Sequence, residues 1–208
     1  MTTHSVAFFD RQFQQQVAAG QHDLNPFERV ALAHCHGRVL DFGCGLGNLA
    51  LHAASQGCRV DAVDASPTAI ESLARRAAGA GLPITPVLAA AESFAWRGCY
   101  DTVVSIGLLM FLDCDQAWAL MERLAEHTCP DGTAVVNVLV EGTTYMDMFG
   151  ADPHCLFAET ALAQWFESRG WQLISSELSE FAAPHDSVKR FVTVVARRCA
   201  VDAGAVRQ

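Results

Sequence analysis

An α/β fold built on a parallel, doubly wound sheet is what this sequence predicts, and three observations predict it. From Gly37 onward, short apolar runs alternate with stretches of helical periodicity, the pattern of βαβ units. A turn with three glycines follows the first of those runs, and an acid closes the second. Half of the residues (51%) are hydrophobic and only 18% are charged, which suits a sheet covered on both faces. The 208 residues are enough for one such domain. No repeat, low-complexity tract or linker divides them, so residues 25–199 read as one domain. An N-terminal helix within 1–24 precedes it as a candidate lid, and the tail at 200–208 is expected to fray.

The elements follow in order. Val6, Phe9, Phe13 and Val17 recur at helical spacing up to Gly20. Asn25-Pro26 opens a second helix, with Pro26 in its first turn and Val30, Leu32 and Ala33 turned inward. The first strand is expected over 38–41, the helix after it over 47–56, and the second strand over 59–64. Ser66 and Pro67 start a helix carrying Ile70, Leu73, Ala74 and Ala77 on one face, closed by Gly79 and Gly81. Strands are expected at 84–88 and 101–106, then a helix over 115–127 with Ala117, Leu120, Met121 and Leu124 inward. Pro130-Asp131-Gly132 reads as a turn into a fifth strand at 134–140. Leu162, Trp165 and Phe166 mark a last helix ending at Gly170, and strands at 171–178 and 191–196 finish the chain.

Charge narrows the function. The formal net charge is −9, and Lys189 is the only lysine. A nucleic-acid binder needs a basic footprint, which is missing here, so small molecules are the expected ligands. No apolar stretch has the length of a membrane span, and Met1-Thr2-Thr3-His4 lacks the basic-then-apolar layout of a signal peptide. A soluble cytoplasmic protein, monomeric or homodimeric, is expected. The eight cysteines are scattered without a CxxC pair; a disulfide framework is expected of a short secreted chain rather than this one, and several sit in apolar contexts where a free cysteine acts as a small hydrophobe. His34-Cys35-His36 and His154-Cys155 look like fragments of a metal site, but no further ligands stand at structural-zinc spacing, and no metal is expected.

The chemistry gathers at Asp41-Phe42-Gly43-Cys44-Gly45-Leu46-Gly47. Ligands of open α/β sheets bind beyond the carboxyl ends of the strands, and glycines there let the backbone approach a ligand closely. The spacing is GxGxG, one residue short of the dinucleotide fingerprint GxGxxG. Asp41 at the base of the loop opposes a pyrophosphate and suits an amino group. S-adenosylmethionine (SAM) has an ammonium, a sulfonium and no phosphate. Asp64, ending the second strand, stands where an acid can accept both ribose hydroxyls.

With Val39-Leu40-Asp41-Phe42-Gly43-Cys44-Gly45-Leu46-Gly47 followed by Val63-Asp64, the chain resembles the class I SAM-dependent methyltransferases. The resemblance covers nearly all of 25–198 and implies a Rossmann-like, seven-stranded doubly wound sheet whose last strand is antiparallel. Ser105-Ile106-Gly107-Leu108-Leu109-Met110-Phe111-Leu112 and the closing Arg190-Phe191-Val192-Thr193-Val194-Val195-Ala196-Arg197-Arg198 are similar to the tellurite-resistance methyltransferases. The resemblance implies that Asp41, Gly43, Cys44, Gly45 and Gly47 line the methionine end of SAM, that Asp64 with Ala65 takes the ribose, and that Ser105 and Ile106 flank the cofactor. The family often places an acid after the third strand for the adenine amino group, where this chain has Ala90. Either Ala91 and Glu92 hold adenine through the backbone, or the Glu92 side chain substitutes. For the substrate the resemblance implies Glu141 after the fifth strand, where the family pattern has Asp, and His185 with Lys189 or Arg190 in a segment shorter than the family's.

Methyl transfer from a sulfonium is an in-line displacement, so the protein mainly aligns the nucleophile and removes water. A tellurium or selenium oxyanion or a thiolate needs no strong base. An amine or hydroxyl would, and His185 or Glu141 is the candidate. Phe9, Phe13 and Phe27 would add apolar walls. Another small thiol, amine or natural-product acceptor is the alternative substrate, a non-catalytic SAM-binding module is the alternative to an enzyme, and the GxGxG spacing opposes an NAD-dependent oxidoreductase.

Overall fold

The computed structural model describes residues 3–200; the tail expected to fray lies outside the described residues from 201 on. One sheet holds seven strands, β1 (Arg38–Phe42), β2 (Arg59–Asp64), β3 (Ile84–Leu88), β4 (Tyr100–Ile106), β5 (Thr128–Leu139), β6 (Gln172–Ala183) and β7 (Ser187–Arg197), in the order β3-β2-β1-β4-β5-β7-β6. Strands β1 to β5 run parallel, and β7 is antiparallel to both β5 and β6. The strand order turns around between β1 and β4, which opens a crevice beyond their carboxyl ends.

The helices are α1 (Thr3–Ala18), α2 (Pro26–Leu32), α3 (Asn48–Ser55), α4 (Pro67–Ala80), α5 (Cys114–Glu126) and α6 (Ala161–Ser168). Their ends follow local chemistry. Asn25 and Glu28 form a capping box ahead of Pro26, the Ser66 side chain accepts from Ala69 N, and Gly81 ends α4 at φ 62°. Neighbouring strand residues feed opposite cores: Val39 joins the cluster under α3 and α4, and Leu40 the cluster with α5 and α6. Between β3 and β4 the described chain forms no helix; Trp96 stacks on Phe42 instead, with ring centroids 5.3 Å apart. No helix among the described residues is long and apolar enough to cross a membrane.

Two details differ from the sequence expectations. β5 starts at Thr128, and Pro130-Asp131-Gly132 is a bulge within it: Tyr100 pairs with Thr128 but Thr102 with Thr133, and Asp131 sits at φ 61°. The β6–β7 hairpin runs well past 171–178 and 191–196, since its pairing continues from Gln172–Arg197 to Ala183–Ser187 around a three-residue turn. β6 is a mostly exposed edge strand that mixes polar side chains with exposed Ile174, Leu178 and Phe181, so no clean apolar alternation marks its end. Asp61 ties three strands: it accepts from Arg38 Nη2 at 2.6 Å and Tyr100 Oη at 2.9 Å.

The cysteine expectation is corrected. Cys99 bonds to Cys129 and Cys114 to Cys155, with Cα separations of 5.1 and 4.8 Å, within the range disulfides require. The pairs lie 30 and 41 residues apart in sequence, and only the pairing of β4 with β5 and the docking of the segment after β5 on α5 bring them together. Cys35, Cys44, Cys58 and Cys199 are free. Thiol titration of protein denatured without reductant should therefore find four reactive thiols among the eight cysteines; a count of eight in air-oxidised protein would refute both bonds.

Candidate functional site

Beyond the carboxyl ends of β1, β2 and β4 lies a cavity of about 890 Å³, near the top of the roughly 300–1,000 Å³ usual for a single ligand. Its floor is the loop Gly43-Cys44-Gly45-Leu46-Gly47 between β1 and α3. Gly43 N and Cys44 N both donate to Val63 O, at 2.8 and 3.0 Å, which clamps the loop to the end of β2. Two positions demand glycine. Gly47 has φ 70°, and a Cβ there would come within 2.5 Å of Leu73; Gly45 has φ 51°, and a Cβ would press on the Phe13 ring at 3.1 Å.

Asp64 organises the loop. One carboxylate oxygen accepts from Gly45 N at 2.9 Å and the other from Ser66 N at 2.8 Å. Burial raises its pKa while these donors oppose the rise. A carboxylate can accept about four hydrogen bonds, so capacity remains for a hydroxyl beyond these backbone donors. Asp41 is only 4% exposed, and its Oδ2 has no hydrogen-bond partner. Burial, followed by the nearby charges of Glu28 and Asp64, pushes its pKa up to about 8. A second orphaned acceptor, Asn137 Oδ1 on β5, also belongs to a cavity-lining residue; the amide nitrogen donates to Thr193 Oγ1 at 2.9 Å. Buried acceptors without donors call for a ligand that brings them. A molecule with an ammonium, vicinal hydroxyls and no phosphate fits these residues.

The other predicted cofactor residues divide. Ala65, Ala91, Ile106 and Cys44 line the cavity, and burial keeps the Cys44 thiol protonated, its pKa well above 9. Ser105 is buried behind Ile106 and does not line it. Glu92 lines a separate hollow of about 280 Å³ with Phe94, Trp96 and Arg123.

The structure does not gather the predicted substrate residues. Lys189 lines the cavity, its Nζ 4.4 Å from the centre of the Tyr145 ring. Arg190, next in sequence on β7, is committed elsewhere: it pairs with Glu180 at 2.6 Å and Glu159 at 3.1 Å and donates to Glu141 O at 2.8 Å. Glu141 is exposed, and His185 occupies the β6–β7 turn at φ 60°, exposed and outside the cavity lining. Among the described residues no cluster of His, Cys, Asp and Glu is arranged to hold a metal.

Helix α1 forms the roof. Phe9 meets Phe111 edge-on at 4.8 Å, and Phe13 rests on Gly45. Asp10 latches the helix to the start of α4: it accepts from Ser66 Oγ, from Thr68 N at 3.1 Å and from Thr68 Oγ1 at 3.0 Å. Sequence reasoning missed Asp10, Glu28 and Asn137. Asn137 left a signal, as one amide in the otherwise apolar run Ala134-Val135-Val136-Asn137-Val138-Leu139; Asp10 left none, because its partners are 56 and 58 residues away.

Residues 39–132 match the family described as methyltransferase domain. The chain is 30% identical over 101 residues to the ubiquinone biosynthesis O-methyltransferase of Rickettsia canadensis, covering 49% of this chain and 42% of that protein. It is 26% identical over 168 residues to the probable S-adenosyl-L-methionine-dependent methyltransferase TehB of Haemophilus influenzae, covering 77% and 57%. The crystal structure of TehB from Haemophilus influenzae superposes with a TM-score of 0.72 at 20% identity, over 88% of this chain and 65% of that one. The Burkholderia thailandensis 1,6-didemethyltoxoflavin-N1-methyltransferase, solved with 1,6-didemethyltoxoflavin and S-adenosylhomocysteine (SAH) bound, gives a TM-score of 0.68 at 19% identity over 96% and 92%. These superpositions establish a methyltransferase fold. The chain spans about half the length of the curated relatives it matches.

Asp41 sets the sign of a pH effect. In the ligand-free folded chain it keeps its proton to about pH 8, whereas in the unfolded chain it loses it near the ordinary carboxylate value of roughly 3.9. The folded state therefore holds an extra proton across that window, and stability falls as pH rises through it. Glu28 and Asp64, also raised by burial, act in the same direction. Urea unfolding between about pH 5 and about pH 8 should show a flatter decline for Asp41→Asn than for wild type; equal slopes would remove Asp41 as a cause.

Proposed function

We propose that this chain is a SAM-dependent methyltransferase acting on an anionic small molecule. The observation that carries the reading is the pair of acids around the glycine loop: buried Asp41, whose Oδ2 has no hydrogen-bond partner, and half-buried Asp64, whose two oxygens accept from Gly45 N of the loop and from Ser66 N. When bound, SAM supplies an electrophilic methyl group on a sulfonium. Asp41 would face its ammonium and Asp64 its ribose hydroxyls, while Ala91 and its neighbours border adenine. The aromatic roof from α1 would exclude water and hold the acceptor in line.

On the acceptor side the reading gives Lys189 the substrate's charge. Arg190 would act through structure, since its guanidinium already serves two glutamates and a carbonyl. His185 and Glu141 would need movement of the hairpin turn and of the segment after β5 to reach the cavity. No general base is therefore assigned, and an acceptor that arrives deprotonated suits the site. Tellurium and selenium oxyanions, suggested by the likeness to TehB, and small thiolates fall in that class. A non-catalytic SAM-binding module is the second reading; it shares the carboxylate pair and differs in turnover.

Calorimetry with SAH and turnover with radiolabelled SAM test the proposal together. Asp64→Ala should lose at least tenfold in SAH affinity, about 1.5–3 kcal/mol for a charged acceptor, and Asp64→Asn, which keeps the size, should lose part of that. Undiminished affinity in folded variants would take Asp64 out of the site. Methylated product from selenite, tellurite or a thiol would support the enzyme, whereas tight SAH binding with no turnover on any acceptor would favour the module. Preference for NAD over SAM would overturn both.

A further inference from the structure

The acceptor half of the cavity has an unusual balance of surfaces. Beyond the glycine loop its walls are Phe9, Phe27, Phe111, Tyr145, Met148 and Phe191. The rings form two groups among the cavity walls: Phe9 packs on Phe111 with centroids 4.8 Å apart, and Phe27 on Phe191 at 4.9 Å. Four acids line the cavity, Asp23, Glu28, Asp41 and Asp64, against one basic side chain, Lys189. No carboxylate stands within ion-pair distance of Lys189 among the described residues, and its ammonium lies over the Tyr145 ring instead. A lone cation held on an aromatic face beside an apolar chamber, in a protein of net charge −9, awaits an anion.

We infer that the acceptor is a flat, ring-bearing organic acid, with its ring between the phenylalanine groups and its anionic group on Lys189. This rests on the methyltransferase reading and narrows it. A small inorganic oxyanion is strongly hydrated on every side. Moving it among these rings would strip that water for a single cation, and the acids elsewhere in the cavity offer it no compensating charge. An aryl acid keeps its charge at one end, where one ammonium suffices, and buries the rest as apolar surface. Offset and edge-on contacts with Phe9, Phe111 and Tyr145 then favour a planar ring over a saturated one. Lys189 is accordingly a specificity-determining residue, and Arg190, engaged with Glu159 and Glu180, is not.

The test measures binding to the SAH-saturated protein by calorimetry. Its probes are a panel of benzoate, hydroxybenzoates, naphthoates and indole carboxylates, with cyclohexanecarboxylate, catechol and sodium selenite as controls. At least one aryl acid should bind tenfold or more tightly than cyclohexanecarboxylate and catechol. Lys189→Gln should cost that acid tenfold while leaving catechol and SAH affinities unchanged, and Phe111→Leu should weaken both aromatics with SAH unaffected. Binding of selenite with none by any aryl acid would overturn the inference and leave the methyltransferase reading standing. Equal binding of the ring-saturated acid would also overturn it. Failure of SAH itself to bind would remove the broader reading and this one with it.

Discussion

One half-buried carboxylate ties together two loops at the carboxyl edge of the sheet. Asp64 receives Gly45 N on one oxygen and Ser66 N on the other, so a single side chain fixes the loop after β1 relative to the helix after β2. Hydrogen bonds to a charged acceptor are the stronger kind, each worth about 1.5–3 kcal/mol, and they partly offset the burial of the charge. From that point a chain of contacts runs outward. Ser66 caps α4, and the same hydroxyl donates to Asp10, which carries α1 over the cavity. The glycine loop, the roof and the start of α4 thus share one polar network, and a change at Asp64 would be felt in all three.

The acceptor side is held differently, by packing and covalent ties. The chain after β5 turns back through Tyr145 and Met148, and Cys155 then bonds to Cys114 at the start of α5. Cys155 N also donates to Met110 O, which anchors this segment to the turn after β4. Phe149 packs on Phe111, itself a cavity wall. On the far side Arg190 fastens the hairpin through Glu159, Glu180 and the Glu141 carbonyl. The polar end of the cavity is therefore set by backbone donors on rigid elements, and the apolar end by rings on a roof and a tethered segment.

The residues at the glycine-loop end of the cavity were legible in the chain because each is local. A buried strand running into Asp41 and three glycines within five residues, and a second strand ending in Asp64, need no distant partner to be recognised. The order of elements follows as well, since alternating periodicities and capping residues such as Asn25, Ser66 and Gly81 act within a few positions. Strand ends were less legible at β5, where a bulge hides behind a turn-like Pro130-Asp131-Gly132, and in β6, an exposed edge strand that mixes polar and apolar side chains without a clean alternation.

The sequence by itself determined the sheet, the crevice and the carboxylates at its edge, through propensity and hydrophobic period over short spans. The tertiary structure alone decided which cysteines meet, that Asp10 fastens α1, that Asn137 turns an unpaired oxygen into a buried site, and that neighbouring Lys189 and Arg190 part company. Alternate residues of a strand face opposite ways, so the cation that looks inward on β7 and the one held by glutamates could be told apart only once β5, β6 and β7 were in register.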